Sequence, residues 1–187
     1  VTFDYVLGAE LENLTLSGAA LNGTGNGLNN VIRGNGNPNL LSGLGGKDEL
    51  IGGGGADTLL GGDGADTLED GGGADSLDGG AQGDLFRWMQ PNQGNDTVAG
   101  FNPAQDDLAF SAAGFGGGLV AGVALTAAQF EMNATGSAST ADVRFIYNTA
   151  TGVLTHDVNG NGAGGPSVIA TFLGLPALSI ADFVIIA

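Results

Sequence analysis

The chain has 187 residues, 20 acidic side chains against 4 basic ones, a formal net charge of −16 and no cysteine. No basic surface is left to neutralise phosphates, which excludes nucleic acid as a partner and disfavours anionic membrane surfaces. Without cysteine there are no disulfides, thiolate metal sites or thiol nucleophiles. A cation that screens the acid is the natural complement, and metal ions are the simplest kind.

The chain begins at Val1, with no Met and no basic stretch leading into an apolar one, so no signal peptide is visible. A longer parent protein is expected, with any catalytic domain upstream. The apolar run closest to a span, 184–187, is far too short to cross a membrane. Residues 1–24 read as an N-terminal β cap. Within them LENLTLSGAALNG alternates with period two at Leu14 and Leu16, as a strand or wide coil would.

From Gly25 to Arg87 the chain repeats in nines without a gap: GNGLNNVIR, GNGNPNLLS, GLGGKDELI, GGGGADTLL, GGDGADTLE, DGGGADSLD, GGAQGDLFR. The eighth position is always apolar: Ile32, Leu41, Leu50, Leu59, Leu68, Leu77, Phe86. Glycine and aspartate would ordinarily make a disordered, charged linker. A strict period instead marks a solenoid, in which each unit buries its apolar residue only against its neighbours. The first six residues of a unit are expected to form a glycine-rich turn and the last three a short strand. Two units then make one turn of a parallel β-roll. Leu50, Leu68 and Phe86 stack on one side, and Leu41, Leu59 and Leu77 on the other.

One apolar side chain per nine residues is a meagre core against the conformational entropy of ordering nine residues. The aspartates supply the missing element. Between Asp48 and Asp84 lie 10 of the 20 acids in 37 residues, with no Lys or Arg among them. In a two-unit coil the sixth-position carboxylates stack 18 residues apart: Asp48, Asp66 and Asp84 along one edge, Asp57 and Asp75 along the other. Successive coils lie about 4.8 Å apart. Like charges that close require a cation between them, and carboxylates with inward backbone carbonyls are the hard oxygen set that Ca²⁺ prefers.

The repeats GGGGADTLL and GGDGADTLE resemble the G-G-x-G-x-D-x-U-x nonapeptide of RTX, or haemolysin-type, calcium-binding proteins. The resemblance implies an all-β, right-handed parallel β-roll over residues 25–87 that binds several Ca²⁺ ions. It implies side-chain ligands at Asp48, Asp57, Asp66, Asp75 and Asp84. Backbone contributors would be Gly53, Gly55, Gly62, Gly64, Gly71 and Gly73, joined by Gly43, Gly45, Gly52, Gly54 and Gly61. Asn30 and Asn39 depart from the motif, and an asparagine ladder bonded to backbone is favoured there over calcium. Gln82 replaces a glycine and is expected to mark the end of the roll.

Residues 88–187 read as a C-terminal antiparallel β capping region. GNDTVAGFNPAQDDLAF echoes the repeat once, with Asp96, then adds Asp106 and Asp107. For Asp96 and Asp107, solvated turn aspartates are favoured over calcium ligands. LTAAQF and LSIADF read as short helical turns capped by Thr126 and Ser179. The stretch from Ala141 reads as strand, turn, strand, glycine loop, strand. Asp157, Asn159, Asn161 and Gly162 match half of an EF-hand loop, but Val168 stands where the glutamate belongs and strands flank it. An Asx turn is favoured there. The final DFVIIA resembles the C-terminal end of type I secretion substrates, and an ordinary last strand looks the same.

The single histidine, His156, sits beside Asp157 in an expected strand, where neighbours face opposite ways. No nucleophile elbow, zinc-protease or Walker pattern occurs. The region is therefore expected to be non-catalytic. The leading reading is a calcium-responsive module of a secreted, extracellular protein. It would stay unfolded in a calcium-poor cytosol, pass through type I secretion machinery and fold outside. The alternative is an adhesin or polysaccharide-binding module with a glycan or cell-surface partner.

Overall fold

The computed structural model describes residues 4–160 and 165–187. Consecutive strands alternate between two sheets from the start of the described chain. One sheet carries β1 (Asp4–Val6), β3 (Asn22–Thr24), β5 (Leu40–Gly45), β7 (Thr58–Asp63), β9 (Ser76–Ala81) and β11 (Asp96–Ala99), in that order and all parallel. The other carries β2 (Asn13–Thr15), β4 (Val31–Arg33), β6 (Glu49–Gly54), β8 (Thr67–Gly72), β10 (Leu85–Trp88) and β12 (Asp107–Ser111), also parallel. This is the all-β parallel roll the period implies.

The register puts position eight of each unit over position eight two units on. Leu14, Ile32, Leu50, Leu68, Phe86 and Leu108 form one column, and Leu41, Leu59, Leu77 and Val98 the other. From Ile32 and Leu41 onward both columns are withdrawn from solvent. Pairing does not stop at Gly25 or Arg87. β1, β2 and β3 add one and a half coils before Gly25, and β11 and β12 extend both ladders past Gln82, which adopts a positive φ of 80°.

The strands differ from the expected three residues. β5 to β9 each span six, from position seven of one unit through position three of the next. The turn is confined to positions four to six. Glycine is obligatory where coils meet closely: at Gly64, with φ of +145°, a methyl group would run into the Gly46 carbonyl oxygen one coil back.

Beyond β12 a single helical turn, α1 (Ala112–Phe115), is capped by Ser111. It is followed by β13 (Phe130–Asn133), β14 (Phe145–Asn148), β15 (Val153–His156), β16 (Ser167–Phe172) and β17 (Phe183–Ile186). Antiparallel pairing here is confined to β14 with β15 and β15 with β16. β16 joins β11 in parallel, β17 joins β12 in parallel, and β13 runs parallel to β14. Phe172 thereby continues the Val98 column and Phe183 the Leu108 column. Trp88, Phe110, Phe115, Phe145, Phe172 and Phe183 fill the end of the roll, with Trp88 stacked on Phe110 at 5.5 Å and Phe110 against Phe145 at 4.7 Å.

Ser179 caps a 3-10 turn at Ile180–Asp182 through a capping box. The Thr126 segment is a hydrogen-bonded turn without a helix: Gln129 N–H donates to the Thr126 carbonyl. With only Thr126 to Gln129 before β13 begins, it has no length for one.

Candidate metal centre

The sixth-position residues come together as two continuous hydrogen-bonded columns. On one edge the amide of Asn30 donates to Asp48 Oδ1, Asp48 to Asp66 Oδ1, Asp66 to Asp84 Oδ1 and Asp84 to Asp106 Oδ1, at 2.7–2.9 Å. On the other, Asn39 donates to Asp57 Oδ1, Asp57 to Asp75 Oδ1 and Asp75 to Asp96 Oδ1, at 2.7–3.0 Å. Each carboxylate thus spends one oxygen on the coil before it. The second oxygens of Asp48, Asp57, Asp66 and Asp75 are buried with no hydrogen-bond partner. Such atoms are costly unless something else binds them.

The ends of both columns are satisfied by the protein itself. Asn30 sends its side-chain N–H groups to the Leu11 carbonyl and Asn26 Oδ1, and Asn39 sends its own to the carbonyls of Ala20 and Leu21. At the other end Asp106 Oδ2 accepts from the amide of Asn102, and Asp96 Oδ2 accepts from the Trp88 indole N–H. Of the carboxylates between, Asp48, Asp57, Asp66 and Asp75 keep an orphaned oxygen.

Those oxygens point into gaps bounded by backbone carbonyls. A methyl group built on Gly43 would collide with Asp48 Oδ2 and the Gly61 carbonyl oxygen together. The same holds at Gly52 for Asp57 Oδ2 and the Asp70 carbonyl, and at Gly61 for Asp66 Oδ2 and the Gly79 carbonyl. The first-position glycine therefore keeps open a space in which a carboxylate oxygen and a carbonyl oxygen are the nearest atoms. A carboxylate oxygen facing carbonyls across an ångström-scale gap suits a hard cation. The carbonyls of Gly61, Asp70 and Gly79 line these gaps, the last two not singled out by the motif, while those of Gly43 and Gly52 lie beside the side-chain oxygens of Asn30 and Asn39. The carbonyls of Gly53, Gly55 and Gly62 instead abut Gly71, Gly73 and Gly80 of the following coil. Gly64, Gly71 and Gly73 are the close-packed partners in these contacts, and Gly45 and Gly54 lie 3.8 Å or more from the next coil's atoms by the same measure.

Burial pushes the carboxyls of Asp48, Asp75 and Asp84 up to about 6, with a neighbouring aspartate adding to the rise, and raises those of Asp57 and Asp66. Asp70, at position one, is raised to about 9 by burial first and then by Asp96. The basic side chains are elsewhere. Arg87 pairs with Glu49 and Glu69 on the outer face, at 2.9 and 2.7 Å.

Residues 24–59 and 51–86 match the family model of the RTX calcium-binding nonapeptide repeat. Residues 24–86 carry RTX calcium-binding nonapeptide repeats. The match implies that this segment binds Ca²⁺. No curated protein sequence matches the chain significantly. Among solved structures, the RTX roll resembles the solution structure of the AlgE6R3 subunit from the Azotobacter vinelandii mannuronan C5-epimerase. The two are 27% identical, with a TM-score of 0.50, over 81% of this chain and 78% of that one.

Two aspartates beyond the unbroken RTX period belong to the columns. Asp96 is not a solvated turn residue but is 1% exposed, in register with Asp75, and Asp106 plays the same part under Asp84. Asp107 is exposed on β12. Asp157 Oδ1 accepts from the Asn159 amide in an Asx turn, while Asn161 and Gly162 lie outside the described residues. His156 is buried between the rings of Phe115 and Phe145, and burial lowers it to about 4. It packs as part of the aromatic end cap. Among the described residues no helix is long and apolar enough to cross a membrane.

Proposed function

We propose that the chain is a non-catalytic calcium-binding module whose roll is coil without Ca²⁺ and folds on binding it. Asp48, Asp57, Asp66, Asp75 and Asp84 act as side-chain ligands, together with the first-position carbonyls. The carrying observation is the row of buried, unpartnered Oδ2 atoms facing those carbonyls. In the absence of a cation the folded roll would hold stacked carboxylates in a buried row, so binding free energy becomes folding free energy. Extracellular modules bind at about 10⁻⁴–10⁻³ M Ca²⁺, so the module stays unfolded and exportable in a calcium-poor cytosol. It folds after type I secretion, stabilising a larger secreted protein. Asp57→Ala with Asp75→Ala is expected to move the calcium midpoint of folding upward; an unmoved midpoint would refute the ligand assignment.

A second reading is a polysaccharide-binding module, favoured by the likeness to a subunit of a mannuronan epimerase. Tyr5 is the one exposed aromatic among the described residues, which leaves little to stack on sugar rings. Calorimetric titration of the calcium-loaded protein with acidic and neutral polysaccharides separates the two readings, since only the second predicts heat.

A further inference from the structure

We propose that Asp70, Asp75 and Asp96 together hold one Ca²⁺ ion in a three-carboxylate site at the C-terminal end of one column, tighter than the gaps above it. The inference rests on the calcium reading of the roll and adds a site outside the repeat motif.

Position one is glycine in the units that start at residues 25, 34, 43, 52, 61 and 79, and aspartate only at Asp70. At the glycine positions a side chain would enter the oxygen-lined gap beside its own unit's sixth residue. Asp70 places a carboxylate in that gap. It is 1% exposed, and neither of its oxygens has a hydrogen-bond partner. Asp75 Oδ2 is likewise buried and unpartnered. Ligand oxygens of Asp70, Asp75 and Asp96 lie within 4.8 Å of one another. Oxygens bound at 2.3–2.6 Å to a common Ca²⁺ stand up to about 5 Å apart, so one ion can serve all three.

The charge balance points the same way. Ordinary gaps carry one inward carboxylate oxygen per coil against carbonyl dipoles. This one carries three carboxylates, and Arg87, the basic residue nearest in sequence, is engaged on the outer face with Glu49 and Glu69. Affinity of oxygen sites rises with ligand charge. Trp88, the sole tryptophan, donates to Asp96 Oδ2 at 2.9 Å and so stands next to the site.

That indole provides the readout. The calcium-loaded protein is titrated with Tb³⁺, exciting Trp88 and recording lanthanide emission, which indole sensitises only at short range. Wild type is expected to give saturable emission. Asp70→Asn and Asp70→Gly should each raise its midpoint about tenfold or more, because a charged ligand is lost. Asp70→Gly restores the residue carried by the other units, so a folded variant is secured. The calcium midpoint of the whole roll, read by far-UV circular dichroism, should rise by less than the emission midpoint, because the other sites keep their ligands. Unchanged emission midpoints in both variants would overturn the site and assign Asp70 a shared proton instead. Absent emission from folded wild type would overturn it as well. A wild-type roll whose dichroism ignores calcium would sink the underlying calcium reading.

Discussion

The amide of Asp48 donates to Asp66 Oδ1 at 2.7 Å, while Asp66 Oδ2 is buried and accepts nothing. One oxygen of the same carboxylate is structural and the other is free for an ion. The two roles are separable by mutation. Asp66→Asn keeps an acceptor for the Asp48 amide and removes the charge. It should raise the calcium midpoint severalfold with little loss of stability at saturating Ca²⁺. Asp66→Ala also strands the Asp48 amide and should cost about 1–3 kcal/mol more. Urea unfolding in excess calcium distinguishes them.

Acidity should substitute for metal in part. The carboxyls of Asp48, Asp75 and Asp84 stand at about 6 in the roll, against about 4 in an unfolded chain. The folded state therefore binds these protons more tightly. Its metal-free stability is present below pH about 4 and lost as pH rises through about 6. In chelator, β content should grow on acidification. Calcium affinity should run the other way, falling about tenfold per ligand carboxylate between pH 7 and pH 5. A calcium midpoint independent of pH across that window would contradict the burial of these groups.

The gap-lining glycines should be intolerant of the smallest side chain. Gly61→Ala drives a methyl group into the space between Asp66 Oδ2 and the Gly79 carbonyl, and should abolish the ion at that gap. Gly36→Ala meets nothing within 4 Å and should change stability by no more than about 0.5 kcal/mol. Calcium stoichiometry from calorimetry checks the pair.

The stacked leucines should matter out of proportion to their number. Leu59 is fully buried between Leu41 and Leu77, whereas Leu60 beside it is 38% exposed. Leu59→Ala should cost about 2–5 kcal/mol and Leu60→Ala under about 0.5. Thermal unfolding at fixed calcium measures both.

The roll between Gly25 and Arg87 was readable because its period never slips. Each column could be written down from residue numbers alone. Asp96 and Asp106 were harder, since the spacing widens to 21 from Asp75 and to 22 from Asp84. Those insertions hide the aspartates from a search by nines while leaving them in register. The three strands before Gly25 were hidden for another reason. Glu12 and Leu21 occupy the sixth position there, and Gly23 the eighth. Asp70 differs from the glycine at position one of the other units, but sequence does not show that position one points into the gap. Strand length was underestimated because positions one to three look like turn glycine, yet their backbones pair from coil to coil. In the cap, the strand–turn–strand order from Phe145 to Phe172 was legible. The parallel docking of β16 and β17 onto the roll joins residues more than 70 apart and leaves no local signal.

Far-UV circular dichroism during a calcium titration at neutral pH, with magnesium as control, tests the central claim most directly. A cooperative passage from coil to β with calcium alone is predicted. A complete β spectrum already present in chelator would contradict it, because the stacked carboxylates would then be held without the ion.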